Sequence, residues 1–273
     1  MTTTNHAATF RQLHQHGLLL LANAWDAGSA RLIESLGAKA IATTSAGVAW
    51  ANGYVDGSRL PVQHSVATIA NIVRVIRVPL SVDFEDGYAS DPATVADNVA
   101  RVIDAGAVGI NIEDGADSPD LLAGKIERIK RMAAQRGVDL FVNARTDVYL
   151  RGLASDDRRV EETLARAARY RAAGADNLFV PGVVDADDIR HIVANAGLPL
   201  NVMSRPGLPS VPELAALGVR RLSAGASISI ATLDCVAGLT DSFLHGEGKQ
   251  VPGKALDYGA INKLFDGIEA RQH

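Results

Sequence analysis

One pattern recurs along this chain of 273 residues: an amphipathic helical segment, then a glycine, then a short apolar run. Glycine just past a helix end adopts the left-handed backbone that turns the chain back toward a sheet. The six copies are SLGAKAIATT, DAGAVGINIED, QRGVDLFVNAR, AAGADNLFVPG, NAGLPLNVM and ALGVRRLSAG. With the apolar runs near Leu20 and Leu80, the pattern predicts eight strands that alternate with helices.

This alternation indicates a parallel sheet with right-handed crossovers. Eight units predict a closed TIM-type (β/α)8 barrel, for which about 250 residues are typical. A doubly wound open sheet is the alternative, but the first turn after a strand, NAWDAGSA, has no GxGxxG phosphate loop. We expect one domain over residues 1–273, in which residues 228–273 form a C-terminal helical extension.

The composition argues against several classes of partner. Lys and Arg are scattered and the net charge is −4, so no nucleic-acid surface is expected. The apolar runs are shorter than the roughly 20 residues of a membrane helix, and the N-terminus lacks a secretory signal. A single cysteine, Cys235, excludes an internal disulfide framework. We therefore expect a cytoplasmic protein that binds a small molecule and no membrane.

Charged residues follow three of the predicted strands at the point where each strand ends. Asp83 and Glu85 end one run, Glu113 and Asp114 end the next, and Arg145 ends the third. Residues two apart on a strand face the same side, so Asp83 and Glu85 should project together. Clustered carboxylates repel one another, and a cation relieves the repulsion. The pattern predicts a divalent metal site, whereas Asp114 is expected to be a helix N-cap or a surface residue.

Five segments carry a family resemblance: NAWDAGSARLIESLGAKAIATTSAGVA, DFEDGY, INIED, NARTD and LNVM. In this order, and with Asp56 after the first of them, they resemble the isocitrate lyase/phosphoenolpyruvate mutase superfamily over roughly residues 10–235. The resemblance implies a barrel whose C-terminal helix is exchanged between subunits of a dimer or, more usually, a tetramer. It also implies Mg²⁺, with Mn²⁺ as an alternative ion, and small 2-oxo or 2-hydroxy acids as substrates that react through an enolate.

The resemblance also implies roles for single residues. Asp83 matches the direct metal ligand, Glu85 and Glu113 complete the metal site, and Asp56 resembles the residue that holds metal-bound water. Arg145 matches the arginine that grips a carboxylate or oxyanion. The candidates for the proton source do not come from the resemblance: they are a metal-bound water and Tyr88, which follows Gly87 at the rim. With the strand ends included, the expected substrate-binding residues are Trp25, Thr44, Ser45, Ala46, Asn143, Arg145 and Asn201.

The chain departs from the family after the fourth strand. The loop GADSPDLLAGK has no Lys-Cys-Gly-His segment, as the lyases have, and its one lysine is Lys125 at the far end. The predicted function is a Mg²⁺-dependent lyase or decarboxylase for a small oxo or hydroxy acid. The alternatives are P–C bond chemistry of the phosphoenolpyruvate mutase or phosphonopyruvate hydrolase type, a pyruvate-dependent class II aldolase, and a non-catalytic oxo-acid binder.

Overall fold

A parallel sheet lies at the centre of the protein, as seen in a computed structural model that describes residues 3–246, 256–266 and 268. Within these residues the strand segments are β1 (Leu19–Leu21), β2 (Asn23–Ala24), β3 (Ile41–Thr43), β4 (Leu80–Asp83), β5 (Gly109–Glu113), β6 (Phe141–Arg145), β7 (Asn177–Phe179), β8 (Leu200–Met203) and β9 (Arg221–Ser223). Their spatial order is β1-β9-β8-β7-β6-β5-β4-β3-β2, and every neighbouring pair is parallel.

The sheet closes through its first strand. β1 and β2 are consecutive pieces of that strand, separated by Ala22; β1 pairs with β9, and β2 pairs with β3. The carbonyl of Leu21 accepts from Ala224 N at 3.1 Å, and the carbonyl of Ala22 accepts from Ala42 N at 3.2 Å. Because one strand bonds to both ends of the sheet, the predicted TIM-type barrel is confirmed.

Helices surround the barrel and alternate with its strands. Those described are α1 (Thr3–Leu13), α2 (Ala27–Ser35), α3 (Ser45–Ala51), α4 (Val62–Val75), α5 (Pro92–Asp104), α6 (Pro119–Gln135), α7 (Val148–Arg151), α8 (Arg159–Ala172), α9 (Ala186–Asn195), α10 (Val211–Ala216), α11 (Ser227–Leu244) and α12 (Tyr258–Lys263), with a 3₁₀ turn over Asp156–Arg158. The six glycines of the recurring pattern all have positive φ. At Gly106 an added Cβ would also lie 2.8 Å from Val73, so this turn needs glycine for its backbone and for space.

α5 shows how the sequence builds these helices. Asp91 accepts from Thr94 N at 2.9 Å as the N-cap, and Pro92 occupies the first turn, where a missing N–H costs nothing. Apolar residues then recur at helical spacing and are buried against the sheet. They are Val95, Ala96, Val99, Val102 and Ile103. The spacing of apolar residues thus decides which face of α5 meets the barrel.

α1 covers the amino end of the barrel, a role that the sequence analysis did not predict. Phe10 is fully buried, and its ring meets the ring of Phe141 edge-on at 5.2 Å. His14 packs beside both rings. Burial and, second, the nearby charge of Arg221 lower the pKa of His14 to about 4, so this imidazole is neutral at pH 7. The predicted functional residues lie at the opposite end of the barrel.

The C-terminal extension leaves the barrel directly after β9. Only Ser229 of α11 is buried in the single chain. By length and composition alone α11 could cross a membrane, with a mean hydropathy of 1.2, whereas the sequence analysis expected no apolar segment of that length. Farther on, Phe265 and Ile268 pack back against the core. Residues 247–255, 267 and 269–273 of the predicted extension lie outside the described residues.

Candidate active site

The carboxyl ends of three adjacent strands form one charged rim. Asp83 ends β4, Glu113 ends β5 and Arg145 ends β6. The strand register sets Asp83 beside Asn111 and Glu113 beside Arg145. Each strand is buried until its last residue, which is half-buried, so the apolar run fixes the strand and delivers the charge to the edge.

Asp83 has few hydrogen-bond donors around its carboxylate. Oδ2 accepts from the backbone N of Ser45 at 3.2 Å, and Oδ1 accepts from Nδ2 of Asn111 at 3.5 Å. Its own backbone N donates to Oγ1 of Thr43 at 2.9 Å, which fixes the end of β4 against β3. Both carboxylate bonds are long, and the side chain is half-buried, so Asp83 keeps lone pairs for a further partner.

Arg145 lies between two carboxylates. Its Nη1 is 2.6 Å from Oε2 of Glu113, its Nε donates to Oδ1 of Asp147 at 2.7 Å, and its Nη2 donates to Oδ2 of Asp147 at 3.1 Å. A guanidinium has five N–H donors, so these three contacts with described residues leave two for a ligand. Burial alone would lower the pKa of Arg145, but Glu113 and Asp147 outweigh burial and raise it. Arg145 is therefore a fixed cation at the rim.

The unfavourable electrostatics of this arrangement act mainly on the carboxyl of Glu113. Burial raises the pKa of its carboxyl to about 8, although the charge of Arg145 opposes the shift. Asp83, Asp147 and Glu85 each add repulsion in the same direction. A buried carboxyl surrounded by other carboxylates is a characteristic of functional sites, since a bound cation would relieve the repulsion.

The prediction that Glu85 faces the same side of a strand as Asp83 is wrong. β4 ends at Asp83, and Glu85 has a φ of 48°, in the left-handed region that lies outside strand geometry. Its Oε1 accepts from the hydroxyl of Tyr88 at 2.8 Å, and its Oε2 accepts from Ser58 N and lies 3.2 Å from Oγ of Ser58. Both carboxylate oxygens of Glu85 are therefore already hydrogen-bonded.

Tyr88 donates its hydroxyl proton in a hydrogen bond to that carboxylate. Burial raises the pKa of Tyr88 above its ordinary value, and the charge and hydrogen bond of Glu85 raise it further. Burial likewise raises the pKa of Glu85, against the lowering effect of its bonds from Tyr88 and Ser58. Asp56, which is exposed in the loop that carries Ser58, adds its charge to both shifts. The predicted proton donor thus holds Glu85 in place.

Lys125 supports the turn that carries Glu85. It is almost fully buried, and its Nζ donates to the carbonyl of Asp86 at 2.8 Å. Oγ of Ser58 donates to Oδ1 of Asp86 at 2.7 Å from the other side. Lys125, which lies on α6 and not in the loop predicted after the fourth strand, therefore fixes the backbone of this turn.

Asp114 is neither a helix N-cap nor a surface residue, so that interpretation is wrong. Its side chain is fully buried; Oδ2 accepts from Nη1 of Arg166 at 2.8 Å and from the hydroxyl of Tyr170 at 2.6 Å. Its Oδ1 accepts from the backbone N of Asp147 at 2.9 Å. Asp147 in turn holds Arg145, and the sequence analysis missed it, although it stands two residues after that arginine in NARTD.

The expected substrate-binding residues divide into two groups. Thr44, Ser45 and Ala46 lie at the start of α3, where Ser45 N reaches Asp83. Arg145 lies at the acidic rim beside Glu113, whereas Trp25, Asn143 and Asn201 lie apart from it. Trp25 lines a cavity of about 100 Å³ against α3 and α11, whereas Asn143 and Asn201 are fully buried inside the barrel. Ser45 and Arg145 are thus the best placed of the set to meet a ligand at the rim.

The rim residues supply the carboxylate oxygens that a hard divalent cation prefers as ligands. Asp83 accepts two long hydrogen bonds, and Arg145 favours ionisation of Glu113 against burial and the neighbouring carboxylates. Mg²⁺ takes one or two protein carboxylates and keeps several waters. Because Glu85 is engaged by Tyr88 and Ser58, it fits a contact through water better than direct ligation. Within the described residues, no three Asp, Glu, His or Cys side chains converge as a ready-made ligand cage.

Comparison with known proteins assigns the family. The model of the phosphoenolpyruvate phosphomutase family matches residues 10–244. An uncharacterised protein of Mycobacterium tuberculosis (strain ATCC 25618 / H37Rv) is 38% identical over 268 residues, which cover 96% of this chain and 98% of that relative. An oxaloacetate decarboxylase of Ectopseudomonas mendocina (strain ymp) is 30% identical over 202 residues, which cover 67% of this chain and 66% of that enzyme.

A solved structure agrees with this assignment. A candidate phosphonomutase of Burkholderia cenocepacia J2315 is 41% identical and superposes with a TM-score of 0.84, covering 88% of this chain and 99% of its own. The region that the family model matches runs from α1 to the last residue of α11. It therefore includes every strand of the barrel and the whole charged rim. The chain belongs to the phosphoenolpyruvate mutase/isocitrate lyase superfamily of enzymes.

Proposed function

We propose that this enzyme is a divalent-metal-dependent decarboxylase or lyase of a small 2-oxo carboxylic acid, with oxaloacetate as the first candidate substrate. The observation that carries the proposal is the rim itself, where Asp83 keeps free lone pairs beside a cationic Arg145 that keeps two free N–H donors. An acidic residue that attracts a cation and an arginine that attracts a carboxylate match the two polar ends of such a substrate.

Asp83 and Glu113 would hold the ion directly, and Glu85 and Asp56 would act through water. When bound, Mg²⁺ supplies Lewis-acid stabilisation of negative charge on a substrate oxygen. Arg145 would orient a substrate carboxylate through its remaining donors, because Asp147 prevents the guanidinium from rotating. The backbone N of Ser45 lies at the same edge and would help to place an anionic oxygen.

Decarboxylation needs no dedicated protein acid or base at such a site. The bond from C3 to the departing carboxylate breaks, CO₂ leaves, and the electron pair moves onto the 2-oxo oxygen to give an enolate. C3 then takes a proton, which solvent can supply, and the product is a 2-oxo acid. The segment between β5 and α6 spans residues 114–118, DGADS, and contains no cysteine, histidine or lysine. This segment favours decarboxylation over cleavage reactions that need a dedicated acid or base there.

A substrate panel tests the proposal directly. With Mg²⁺ present, oxaloacetate should be converted to pyruvate and CO₂ faster than methylisocitrate or dimethylmalate is cleaved, and a chelator should abolish turnover. Pyruvate should exchange its methyl protons in D₂O, because the same enolate forms in reverse. Tight metal-dependent binding of oxo acids without turnover or exchange would identify a non-catalytic binder. Turnover of pyruvate that depends on an added aldehyde would identify an aldolase.

P–C bond chemistry is the second candidate, supported by the family match and by the candidate phosphonomutase at 41% identity. It shares the metal and the enolate but needs cations around a transferring phosphoryl group. Lys125 does not supply one at the rim, since it is bound beneath Asp86. Phosphate release from phosphonopyruvate at a rate above that of oxaloacetate decarboxylation would promote this function over ours.

An apolar groove and an apolar helix support a homo-oligomer. A groove of about 810 Å³ lies between α2 and the outward face of β1 and β9, and its lining includes Leu18, Leu20, Leu32, Leu36 and Leu222. In a barrel of this type, the helix after the last strand normally covers such a face. Here α11 exposes its own apolar residues instead, among them Ile230, Leu233 and Val236. We propose that two chains exchange α11, each covering the groove of the other.

The solution mass checks this exchange. The protein should be a dimer or tetramer at micromolar concentration, and Leu233→Asp with Val236→Asp should shift it toward the monomer, because each change buries a charge in an apolar interface. Leu150→Asp is the matched control, since Leu150 is also an exposed leucine but lies on α7. A monomeric wild-type protein, or an unchanged mass in the double variant, would contradict the proposal.

A further inference from the structure

The largest fully buried side chain in the described part of the protein is a cation. Arg221, the first residue of β9, is 0% exposed inside the barrel. Within the described residues it forms no ion pair; its Nε donates to Oγ of Ser223 at 3.1 Å, and its Nη2 donates to Oδ1 of Asn111 at 3.2 Å. Its Nη1 has no hydrogen-bond partner there. A buried arginine without a carboxylate at contact distance is costly, and such a cost usually has a function.

The contacts of Arg221 lead to the metal-site residue Asp83. Oδ1 of Asn111 accepts from Arg221 and also from Nδ2 of Asn143 at 2.8 Å, and Asn143 accepts from Asn177 at 2.7 Å. With its oxygen held by two donors, the amide of Asn111 can only present Nδ2 to its other neighbour. That neighbour is Oδ1 of Asp83, at 3.5 Å. Asn111 therefore cannot flip its amide without breaking the bonds from Arg221 and Asn143.

A second chain of hydrogen bonds runs from Arg221 through Ser223 to Asn201. Oγ of Ser223 accepts from Arg221 and donates to Oδ1 of Asn201 at 3.2 Å. This fixes the amide of Asn201 with Nδ2 directed away from Ser223, and that donor has no partner within the described residues. Arg221 thus sets the orientation of two interior amides at once, one directly and one through a hydroxyl.

Two ionisable groups act on Arg221 from other elements. Burial lowers the pKa of Arg221 to about 9, and the negative charge of Asp83 acts against that shift, so the two groups interact across Asn111. His14 of α1 lies on the other side and is neutral. The guanidinium therefore stays charged at pH 7, and Asp83 is the carboxylate whose field reaches it.

We propose that Arg221 is a built-in counter-charge beneath the acidic rim, which weakens and thereby sets the affinity of Asp83 and its neighbours for a divalent cation. This inference rests on the proposed function, because it takes Asp83 to be the residue that binds the ion. In the metal-free protein Arg221 offsets part of the repulsion among the rim carboxylates. When the ion is bound, the same positive charge repels it from below and also stabilises negative charge that develops on the substrate.

Removal of the charge should therefore change binding and turnover in opposite directions. In the full-length protein, Arg221→Met should tighten Mg²⁺ binding about tenfold in a calorimetric titration of the metal alone, since a unit charge at low effective dielectric acts over many ångströms. The same variant should lower kcat with oxaloacetate at saturating Mg²⁺. Arg221→Lys keeps the charge but loses the two-branch donor geometry, so its Mg²⁺ affinity should stay within about threefold of wild type.

Arg220→Met is the matched control. It removes the same charge from the preceding residue, whose side chain lies on the outside of the barrel. Its Mg²⁺ affinity should equal that of wild type. If Arg221→Met does not fold, Arg221→Gln, which retains a donor for Asn111, takes its place. If Arg221→Met, or Arg221→Gln in its place, binds Mg²⁺ as tightly as wild type or more weakly, the inference about Arg221 is wrong but the proposed function stands. If the wild-type protein binds no divalent cation, both the inference and the proposed function are wrong.

Discussion

Asp83→Asn is expected to abolish measurable Mg²⁺ binding and to lower kcat/KM for oxaloacetate about 10³-fold, the equivalent of about 4 kcal/mol of transition-state stabilisation. The substitution keeps the size of the side chain and removes its charge. Among the described residues no cation contacts the Asp83 carboxylate directly, since Arg145 pairs with Glu113 and Asp147. Calorimetric titration with Mg²⁺ and steady-state kinetics measure the two effects.

The fold should survive this change. From the described residues the Asp83 carboxylate receives two long hydrogen bonds, from Ser45 N and from Asn111, and its loss removes one member of a repelling cluster. The free energy of unfolding of the metal-free protein should therefore stay the same or rise slightly. Asp117→Asn is the control, because it removes an exposed charge from the loop beside the same rim. Retained Mg²⁺ binding, or a large loss of metal-free stability, would refute the assignment of Asp83.

The barrel could be predicted from the sequence because its signals are local. Each helix end, each glycine and each apolar strand is encoded within about ten residues, and all six predicted turn glycines have the expected left-handed backbone. The interruption of the first strand at Ala22 has no such signal, because it arises where one strand bonds to two neighbours. The role of α1 was likewise hidden, since one fully buried residue, Phe10, gives little apolar periodicity.

The rim could be predicted in part. Strand ends bring Asp83, Glu113 and Arg145 together, and that follows from the parallel topology alone. The position of Glu85 does not follow, because its partner Ser58 lies 27 residues earlier and the turn between Phe84 and Tyr88 reverses the backbone. Period-2 alternation no longer applies once a residue leaves the strand. The prediction therefore held for residues on strands and failed for the first residues beyond them.

The interior amides left a signal beyond the substrate-binding role that the sequence analysis gave to Asn143 and Asn201. Asn111, Asn143, Asn177 and Asn201 each interrupt an apolar strand run, and all four are buried in the structure. On a strand buried on both faces, a polar residue needs a partner from another strand. Barrel closure supplies it, since Arg221 of β9 meets Asn111 of β5 across the interior. Only the closed fold, and no single segment, shows that Arg221 and Asp83 belong to one network.

Asp114→Ala is expected to produce the largest loss of stability, about 3–5 kcal/mol in the free energy of unfolding. Asp114 is fully buried and satisfies three donors: Nη1 of Arg166, the hydroxyl of Tyr170 and the backbone N of Asp147. Alanine would leave all three without this acceptor, and the side chain of Arg166, only 10% exposed, would keep Glu162 as its one remaining partner. Activity should fall as well, because Asp147 holds Arg145 at the rim.

Two comparisons separate a buried charge network from an ordinary ion pair. Asp187→Ala removes an exposed carboxylate that pairs with Arg190, and it should change the free energy of unfolding by less than about 1 kcal/mol. Adding Arg166→Met to Asp114→Ala should recover part of the loss, because it removes the cation that the single variant leaves partly unpaired. Denaturant unfolding of the metal-free protein gives all of these values. An effect of Asp114→Ala as small as that of Asp187→Ala would mean that Asp114 does not anchor Asp147, and Arg145 would then need another support.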